Sequence, residues 1–309
     1  MKSFSIILAT SAGRSKTLER CLASIFANDY PPELFEVLVI DSGVDEKGLA
    51  VIESFKREYE NLRFYSPSWG NVGPAKARNL GIKKAQNEIV AFTDDDCAVP
   101  SDWLRRFDGG YERYKGCKRY KGIAGVGGYL EAPVEVLSKN IFAQYEKFHE
   151  WSQYNIQEHE FLSTKRDEVP FETNNISYKR EVLEEVGGFD ERFSPFASGE
   201  DGDLKERVLG LGFRILFIPV KVTHLQDYNL KRFWRQQISR GAGILMTKKK
   251  RGQRLESLPE LGLKMLLGPL GFLRFLVVDN FQIRFAFIGT LGFMARQIGK
   301  MRIVKLLNC

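Results

Sequence analysis

Ile89-Val90-Ala91-Phe92-Thr93-Asp94-Asp95-Asp96 is a short apolar run that stops abruptly at three consecutive carboxylates. A run of this length, rich in β-branched and aromatic residues, predicts a buried strand. Open α/β sheets bind their ligands at the carboxyl ends of the strands, where this acidic cluster falls. Adjacent carboxylates repel one another unless a cation offsets them. A hard divalent ion such as Mg2+ or Mn2+ does so and also binds phosphate oxygens. An acidic turn or helix cap is the plainer reading of the same residues.

The same pattern repeats on the N-terminal side. Ser3–Ala9 reads as a buried strand, Thr10–Ser15 as a polar loop and Lys16–Ala27 as a helix with Leu18, Cys21, Leu22 and Ile25 on one face. Phe35–Ile40 is a second apolar run, ending at Asp41-Ser42-Gly43. A helix near Lys47–Tyr59, a strand at Leu62–Tyr65 and a helix at Lys76–Ala85 complete the series. Strand and helix in alternation predict a doubly wound, mainly parallel sheet flanked by helices, with Thr10, Asp41 and Asp94 at strand ends. Asn71-Val72-Gly73-Pro74-Ala75-Lys76-Ala77-Arg78 opens a helix with basic residues near that edge, an arrangement that attracts phosphate. Asp41 offers a carboxylate to a base N–H or a ribose hydroxyl.

Downstream, Gly122–Leu130 reads as a glycine-rich strand whose Gly125-Val126-Gly127-Gly128 does not complete a dinucleotide fingerprint. Asn174–Tyr178 predicts a strand and Arg180–Val186 a short helix. Gly199-Glu200-Asp201-Gly202-Asp203-Leu204 opens another helix. Its paired carboxylates supply a general base with a neighbour to tune it, or simple N-caps. His224 closes the run Phe213–Val222; such a histidine is ordinarily structural, yet its imidazole can complete an oxygen-rich metal site. Phe142–Thr173 reads as a loop in which Trp151, Tyr154 and Phe161 stack a sugar face or, more plainly, pack.

Composition narrows the partners. With 43% hydrophobic and 28% charged residues in 309, the chain is globular rather than disordered. A net charge of +7 suits a nucleoside diphosphate, an acidic membrane or a nucleic acid. No nucleic-acid motif accompanies it, and the aromatics are not interleaved with Lys248–Arg251, so no nucleic-acid partner is expected. Cys21, Cys97, Cys117 and Cys309 form no CxxC pair and have no close histidine, which argues against zinc or a disulfide framework and fits a reducing compartment. The apolar start of the chain is short and merges with a strand pattern, so it is read as a strand, not a cleaved leader. After about Pro259, Leu261–Val278 and Phe281–Ile298 are apolar but broken by Lys264, Arg274, Arg284 and Arg296. A spanning helix wants about 20 mostly apolar residues. Helices lying in the membrane interface fit the basic and aromatic content, while a hairpin reaching into the bilayer and a helical cap on the core remain alternatives.

Taken in order, Ser-Ile-Ile-Leu-Ala-Thr (5–10), Val-Leu-Val-Ile-Asp-Ser-Gly (37–43), Asn-Val-Gly-Pro-Ala-Lys-Ala-Arg-Asn (71–79), Phe-Thr-Asp-Asp-Asp-Cys (92–97), Val-Gly-Gly-Phe-Asp-Glu (186–191), Gly-Glu-Asp-Gly-Asp-Leu (199–204) and Val-Thr-His (222–224) resemble the family 2 glycosyltransferases over residues 3–245. The resemblance implies a GT-A fold, Rossmann-like, in residues 1–255. Residues 1–110 would hold the nucleotide-sugar and 111–255 the acceptor, with an amphipathic helical region at 256–309 that associates with a membrane or caps the core. It implies that Thr10, Asp41 and Arg78 line the nucleoside pocket and that Asp94 and Asp96 form the metal-binding DxD pair. Asp95 would then lie near ribose or sugar, Asp201 would be the base with Glu200 beside it, and His224 would help bind metal or diphosphate. The implied enzyme is inverting, uses Mg2+ or Mn2+ and a nucleoside-diphosphate sugar with UDP favoured, and acts on a glycan or lipid-linked acceptor at the cytoplasmic face of a membrane. Asp41-Ser42-Gly43-Val44 and Ala9-Thr10-Ser11-Ala12-Gly13-Arg14 depart from the family pattern at the base and first loop. Gln237-Ile238-Ser239-Arg240-Gly241 lacks the tryptophan of processive members, which points to one sugar per visit. A catalytically silent nucleotide-sugar or lipid-surface binder and a nucleotidyltransferase are the competing readings.

Overall fold

The apolar runs at the start of the chain become strands β1 (Phe4–Thr10), β2 (Phe35–Asp41), β3 (Leu62–Tyr65) and β4 (Ile89–Asp94), in a computed structural model that describes residues 1–68, 73–113, 120–154, 159–163, 172–193, 198–272 and 283–307. They run parallel in the order β3-β2-β1-β4. Thr10 pairs with Asp41 and Ala9 with Asp94, so the three motif strands end level with one another. Both faces of this half-sheet are covered, which is why its strands read as continuous apolar runs without alternation.

On one face α1 (Ser15–Phe26), α2 (Glu46–Glu58) and α4 (Trp103–Glu112) cover Phe4, Ile6, Leu8, Val37 and Val39. On the other, α3 (Pro74–Lys84), α7 (Arg180–Glu185) and α8 (Glu200–Gly210) cover Ile7, Leu38, Ile40, Val90 and Phe92. Beyond β4 the sheet becomes mixed. β8 (Ile176–Lys179) runs antiparallel to β4, followed by β6 (Ile123–Glu131), β9 (Arg214–His224) and the two-residue β5 (Cys97–Ala98). β7 (Phe161–Ser163) also pairs with β9. β6 and β9 pair in parallel, while the β4–β8, β6–β8, β5–β9 and β7–β9 ladders are antiparallel.

Asn175 fastens the mixed half. Trp103 Nε1 donates to its Oδ1 at 3.0 Å, and its Nδ2 donates to the carbonyls of Tyr129 and Val220, each at 2.9 Å. This anchor stands where the β6–β9 register shifts between Gly127 and Tyr129. The chains approach so closely there that a Cβ on Gly128 would lie 2.1 Å from the Val220 carbonyl oxygen.

The chain divides into two units, one of Met1–Pro133, Glu150–Glu191 and Asp201–Gln226, the other of Val134–His149, Arg192–Glu200 and Asp227–Cys309. The first contains the sheet. The second holds α5 (Val134–Leu137), the start of α6 (Ile141–Tyr154), α9 (Leu230–Lys250), α10 (Leu258–Leu266), a 3-10 turn (Gly268–Gly271) and α11 (Ile283–Leu307). The reading of Phe142–Thr173 as a loop is corrected by α6. Phe142, Tyr145 and Phe148 recur at helical spacing and pack on Phe233 and Phe285. Phe161 packs too, stacking on Phe217 at 4.9 Å. The side chains of Trp151 and Tyr154 lie outside the described residues, as do Asn71, Val72, Cys117, Arg274 and Cys309. Small residues let α9 and α11 touch backbone to backbone; a Cβ on Gly299 would sit 1.9 Å from the Ile238 carbonyl oxygen. Among the described residues, no helix is long and apolar enough to cross a membrane.

A single carboxylate ties three of these helices together. Glu256 accepts from Lys248 of α9 at 3.1 Å, Lys264 of α10 at 3.2 Å and Lys300 of α11 at 3.1 Å. Burial pushes its carboxyl up, but the three ammonium groups win and hold it at about 2, below its ordinary 4.5. A carboxylate with a depressed folded pKa contributes stability above its unfolded pKa and loses it as pH falls through the folded value. Glu256→Gln should therefore lower the urea midpoint at pH 7. The gap from wild type should persist down to about 4.5 and close as pH approaches about 2. A gap that does not change with pH would show that the lysines do not act on the charged form.

Candidate active site

Strand geometry sends the three consecutive aspartates to different partners. Asp94, the last residue of β4, accepts from Arg78 Nη2 of α3 at 2.9 Å. Arg78 is buried, and its guanidinium lies 5.7 Å from the centre of the Phe189 ring. Asp95 turns to β1 and accepts from the Thr10 hydroxyl at 2.9 Å and the Ser11 amide at 3.4 Å. Asp96 meets Arg14 Nη1 at 2.5 Å through Oδ2, and His224 Nε2 lies 3.5 Å from its Oδ1. The chain after Asp96 is held in place as well. Cys97 pairs with His224 across β5 and β9, and the Leu225 amide donates to the Asp96 carbonyl at 2.6 Å.

These surroundings split the pair Asp95 and Asp96 electrostatically. Burial pushes the Asp95 carboxyl up to about 7 against the pull of Arg14 and the Thr10 hydroxyl, helped by the charges of Asp96 and Asp94. Burial pushes Asp96 up as well. There the hydrogen bond and charge of His224, with the Arg14 guanidinium, prevail and hold it well below the usual carboxylate range. Asp96 is thus the carboxylate kept charged. The ligating atoms of Asp96, Cys97 and His224 lie within 4.8 Å of one another. Burial raises the Cys97 thiol well above its ordinary value, leaving it protonated and a poor ligand for a hard ion. The carboxylate donor suits Mg2+ or Mn2+, and the imidazole is a softer donor beside it.

The remaining residues singled out from sequence are placed as follows. Asp41 ends β2 beside Thr10, with its Oδ1 accepting from the amides of Gly43 at 2.6 Å and Val44 at 2.7 Å, and its Oδ2 from the Ser66 hydroxyl at 2.6 Å. Asp201 lies in the first turn of α8 and accepts from the Gly202 amide at 2.7 Å. Glu200 is buried and accepts from the Gly199 amide at 3.0 Å, next to a glycine whose φ of 124° suits no other residue. The Val186–Glu191 motif serves the framework. Asn79 exchanges hydrogen bonds with the Phe189 backbone, and Arg207 of α8 donates to the carbonyls of Val186 and Gly188. The sheet edge therefore brings together Thr10, Arg78, Asp94, Asp95, Asp96 and His224, all legible as motif residues. It also brings Arg14, which the sequence reading passed over. A signal was available: Arg14 is the N-cap of α1, where the helix dipole disfavours a cation unless an anion holds it.

A family model described as glycosyl transferase family 2 matches residues 5–187. Glycosyltransferase AglE of Haloferax volcanii is 29% identical over 203 residues, 66% of this chain and 60% of that protein, so the chain spans about three-fifths of its length. A second relative is the Methanococcus voltae dolichyl N-acetyl-alpha-D-glucosaminyl phosphate 3-beta-D-2,3-diacetamido-2,3-dideoxy-beta-D-glucuronosyltransferase. It is 27% identical over 259 residues, 80% of this chain and 75% of that one. Among solved structures, mannosyltransferase PcManGT from Pyrobaculum calidifontis, in complex with GDP-Man and Mn2+, superposes with a TM-score of 0.65 at 16% identity, covering 98% of this chain and 88% of that one. TarS of S. aureus, residues 1–349, gives 0.55 at 16% identity, covering 98% and 91%. At such identities the likeness is one of fold, and the fold is the GT-A arrangement expected from the motifs.

Proposed function

The chain belongs to glycosyl transferase family 2 and is a glycosyltransferase; we propose that it moves one sugar, with inversion, from a nucleoside-diphosphate sugar to a hydroxyl of a glycan or lipid-linked acceptor. The observation that carries the reading is Asp96, buried at the carboxyl edge of the sheet, kept charged, and facing His224 at 3.5 Å. Asp96, His224 and the partly exposed Asp94 are the residues that would hold Mg2+ or Mn2+. A bound divalent ion offsets the charge that builds on the departing diphosphate. Arg78 keeps Asp94 in place, and the Thr10 hydroxyl keeps Asp95 oriented at the same edge. Asp41, fixed by its own turn and by Ser66, retains lone pairs for a base N–H or ribose hydroxyl. Asp201 takes the acceptor proton as the acceptor oxygen attacks the anomeric carbon, and Glu200 holds the start of its helix. One displacement inverts that carbon.

In this reading residues 1–110 serve the donor, 111–255 the acceptor and 256–309 a membrane surface. UDP is the carrier favoured for the first trial, and the relative named for a dolichyl phosphate acceptor supports a lipid-linked acceptor. Support for the membrane contact comes from the second unit. Leu263, Leu266, Leu267 and Leu270 are exposed in close succession, Leu266 at 79%, and Ile283 and Phe287 are exposed at the start of α11. Of the 46 Lys and Arg residues twelve follow Thr247, against three of the 39 acidic residues. Apolar side chains in the acyl boundary with basic ones at the headgroups are how such segments bind, and an anionic cytoplasmic leaflet is what they read.

Three measurements test the proposal. In calorimetry of UDP, GDP, CMP and dTDP with and without Mn2+, one nucleoside diphosphate should bind tightly, needing both the metal and Asp96. Equal binding by Asp96→Ala would remove the metal assignment, and binding of none would move the silent-binder reading ahead. Asp201→Asn should cut sugar transfer by about 10²–10⁴-fold with donor binding retained; a wild-type rate would discard Asp201 as the base. The full chain should sediment with vesicles rich in anionic lipid, and Leu266→Ser with Leu270→Ser should release it. Equal binding by that double variant would sink the membrane contact.

A further inference from the structure

Arg14 stands inside the acidic cluster with no part in the chemistry above. Its Nη1 lies 2.5 Å from Asp96 Oδ2 and 3.9 Å from Asp95 Oδ1. The other Asp96 oxygen faces His224 Nε2, and only 3% of the residue is exposed. A divalent ion held between His224 and Asp96 through Oδ1 thus meets a carboxylate whose other oxygen is already bound to a guanidinium. Two cations cannot share it at that range without strong repulsion, least of all in a buried, low-dielectric setting. Arg14 is the more exposed member of the pair. Its side chain is 31% exposed, it sits on the loop after β1, and it makes no side-chain cap bond to α1. The positive end of the α1 dipole pushes against it, so the carboxylates are what keep it in position.

A displaced guanidinium needs a new anion, and the donor brings one. Its diphosphate arrives with the metal, at the same sheet edge, and a planar guanidinium fork matches phosphate oxygens in paired hydrogen bonds. We propose that Arg14 and the divalent ion compete for Asp96, and that the displaced Arg14 binds the donor diphosphate, so that metal and donor bind cooperatively. Arg14 is then a binding and positioning residue with opposite effects on the two ligands: it weakens metal binding in the absence of donor and strengthens donor binding in the presence of metal. Linkage makes the coupling reciprocal. This inference rests on the metal-dependent reading given above.

The test is calorimetry on the full chain, with Mn2+ alone and then with UDP and GDP in saturating Mn2+. Arg14→Ala should bind Mn2+ alone about 10-fold more tightly than wild type, and in Mn2+ should bind the nucleotide about 10-fold more weakly, within the usual span of coupling between sites. An arginine that merely supports the fold would weaken both. Arg14→Gln, which keeps a hydrogen-bond donor without the charge, should show the same pair of opposite shifts and serves if circular dichroism finds Arg14→Ala unfolded. Wild type binding both ligands, with Mn2+ affinity unchanged or reduced in the folded variants, overturns the exchange and leaves the metal-dependent reading intact. Wild type binding neither Mn2+ nor nucleotide overturns both.

Discussion

Three carboxylates in sequence at the end of one strand cannot all stay charged and buried without help, and the architecture of the first unit answers that demand. The help arrives from separate elements: Arg78 from α3, Thr10 from the end of β1, Arg14 from the loop that follows it and His224 from the end of β9. Each partner reaches its aspartate only if its own element is in register, so the cluster couples the parallel half of the sheet to the mixed half. Removing a partner would leave its aspartate less well compensated, which at the buried Asp96 costs more than losing a surface ion pair. The help is uneven. Asp96 receives two cationic or donor groups and is held charged, while Asp95, given a hydroxyl and a more distant guanidinium, is left near 7.

Much of this was legible in the sequence because the first strands are buried on both faces. Their apolar runs stop where the sheet stops, and the residues at those stops (Thr10, Asp41 and Asp94) are side by side in the register. Strand order beyond β4 was not legible. β8 slots between β4 and β6, so Ile176–Lys179 joins the sheet out of chain order, and nothing local in the tetrapeptide Ile-Ser-Tyr-Lys says which neighbour it will find. α6 was missed for a related reason. Its Phe142, Tyr145 and Phe148 have helical spacing, but they are set among polar and charged residues, and their partners Phe233 and Phe285 are far along the chain. Arg14 was hidden by the opposite problem: one polar residue in a polar loop carries no periodic signal, and only its location against the helix dipole marks it.

The second unit is organised by contact rather than by alternation. Where α9 and α11 cross, glycine replaces side chains and the helices meet through backbone, while Glu256 gathers one lysine from each of three helices. Both devices add to a small apolar core that takes in Leu261 of α10 but not Leu263, Leu266 or Leu270. Leu263, Leu266 and Leu270 remain outside the core of their own unit, on a helix that turns Leu261 inward and is held by the capping box at Ser257 and Glu260 and by the Lys264 bond to Glu256. Exposed leucines close to basic residues are the feature on which the proposed membrane contact rests.

The same logic of burial separates the adjacent acids at the start of α8. Glu200 is only 8% exposed and bends back onto the Gly199 amide, so its charge is spent on the helix N-terminus, where the dipole favours it. Asp201, one residue on, accepts from its own neighbour Gly202 and remains partly exposed. Its field also reaches the sheet. The Tyr178 hydroxyl is raised first by burial and then by the charge of Asp201, and Tyr178 packs with Phe92 and Ile176. Alternation along β4 puts Asp94 on the same face as Phe92, with Arg78 bound to it. A proton acceptor must be reachable by the incoming hydroxyl and must share a face with the group that stabilises the leaving side. Of the two acids Asp201 is the more exposed, which is why the proposed mechanism gives the proton to it and not to Glu200.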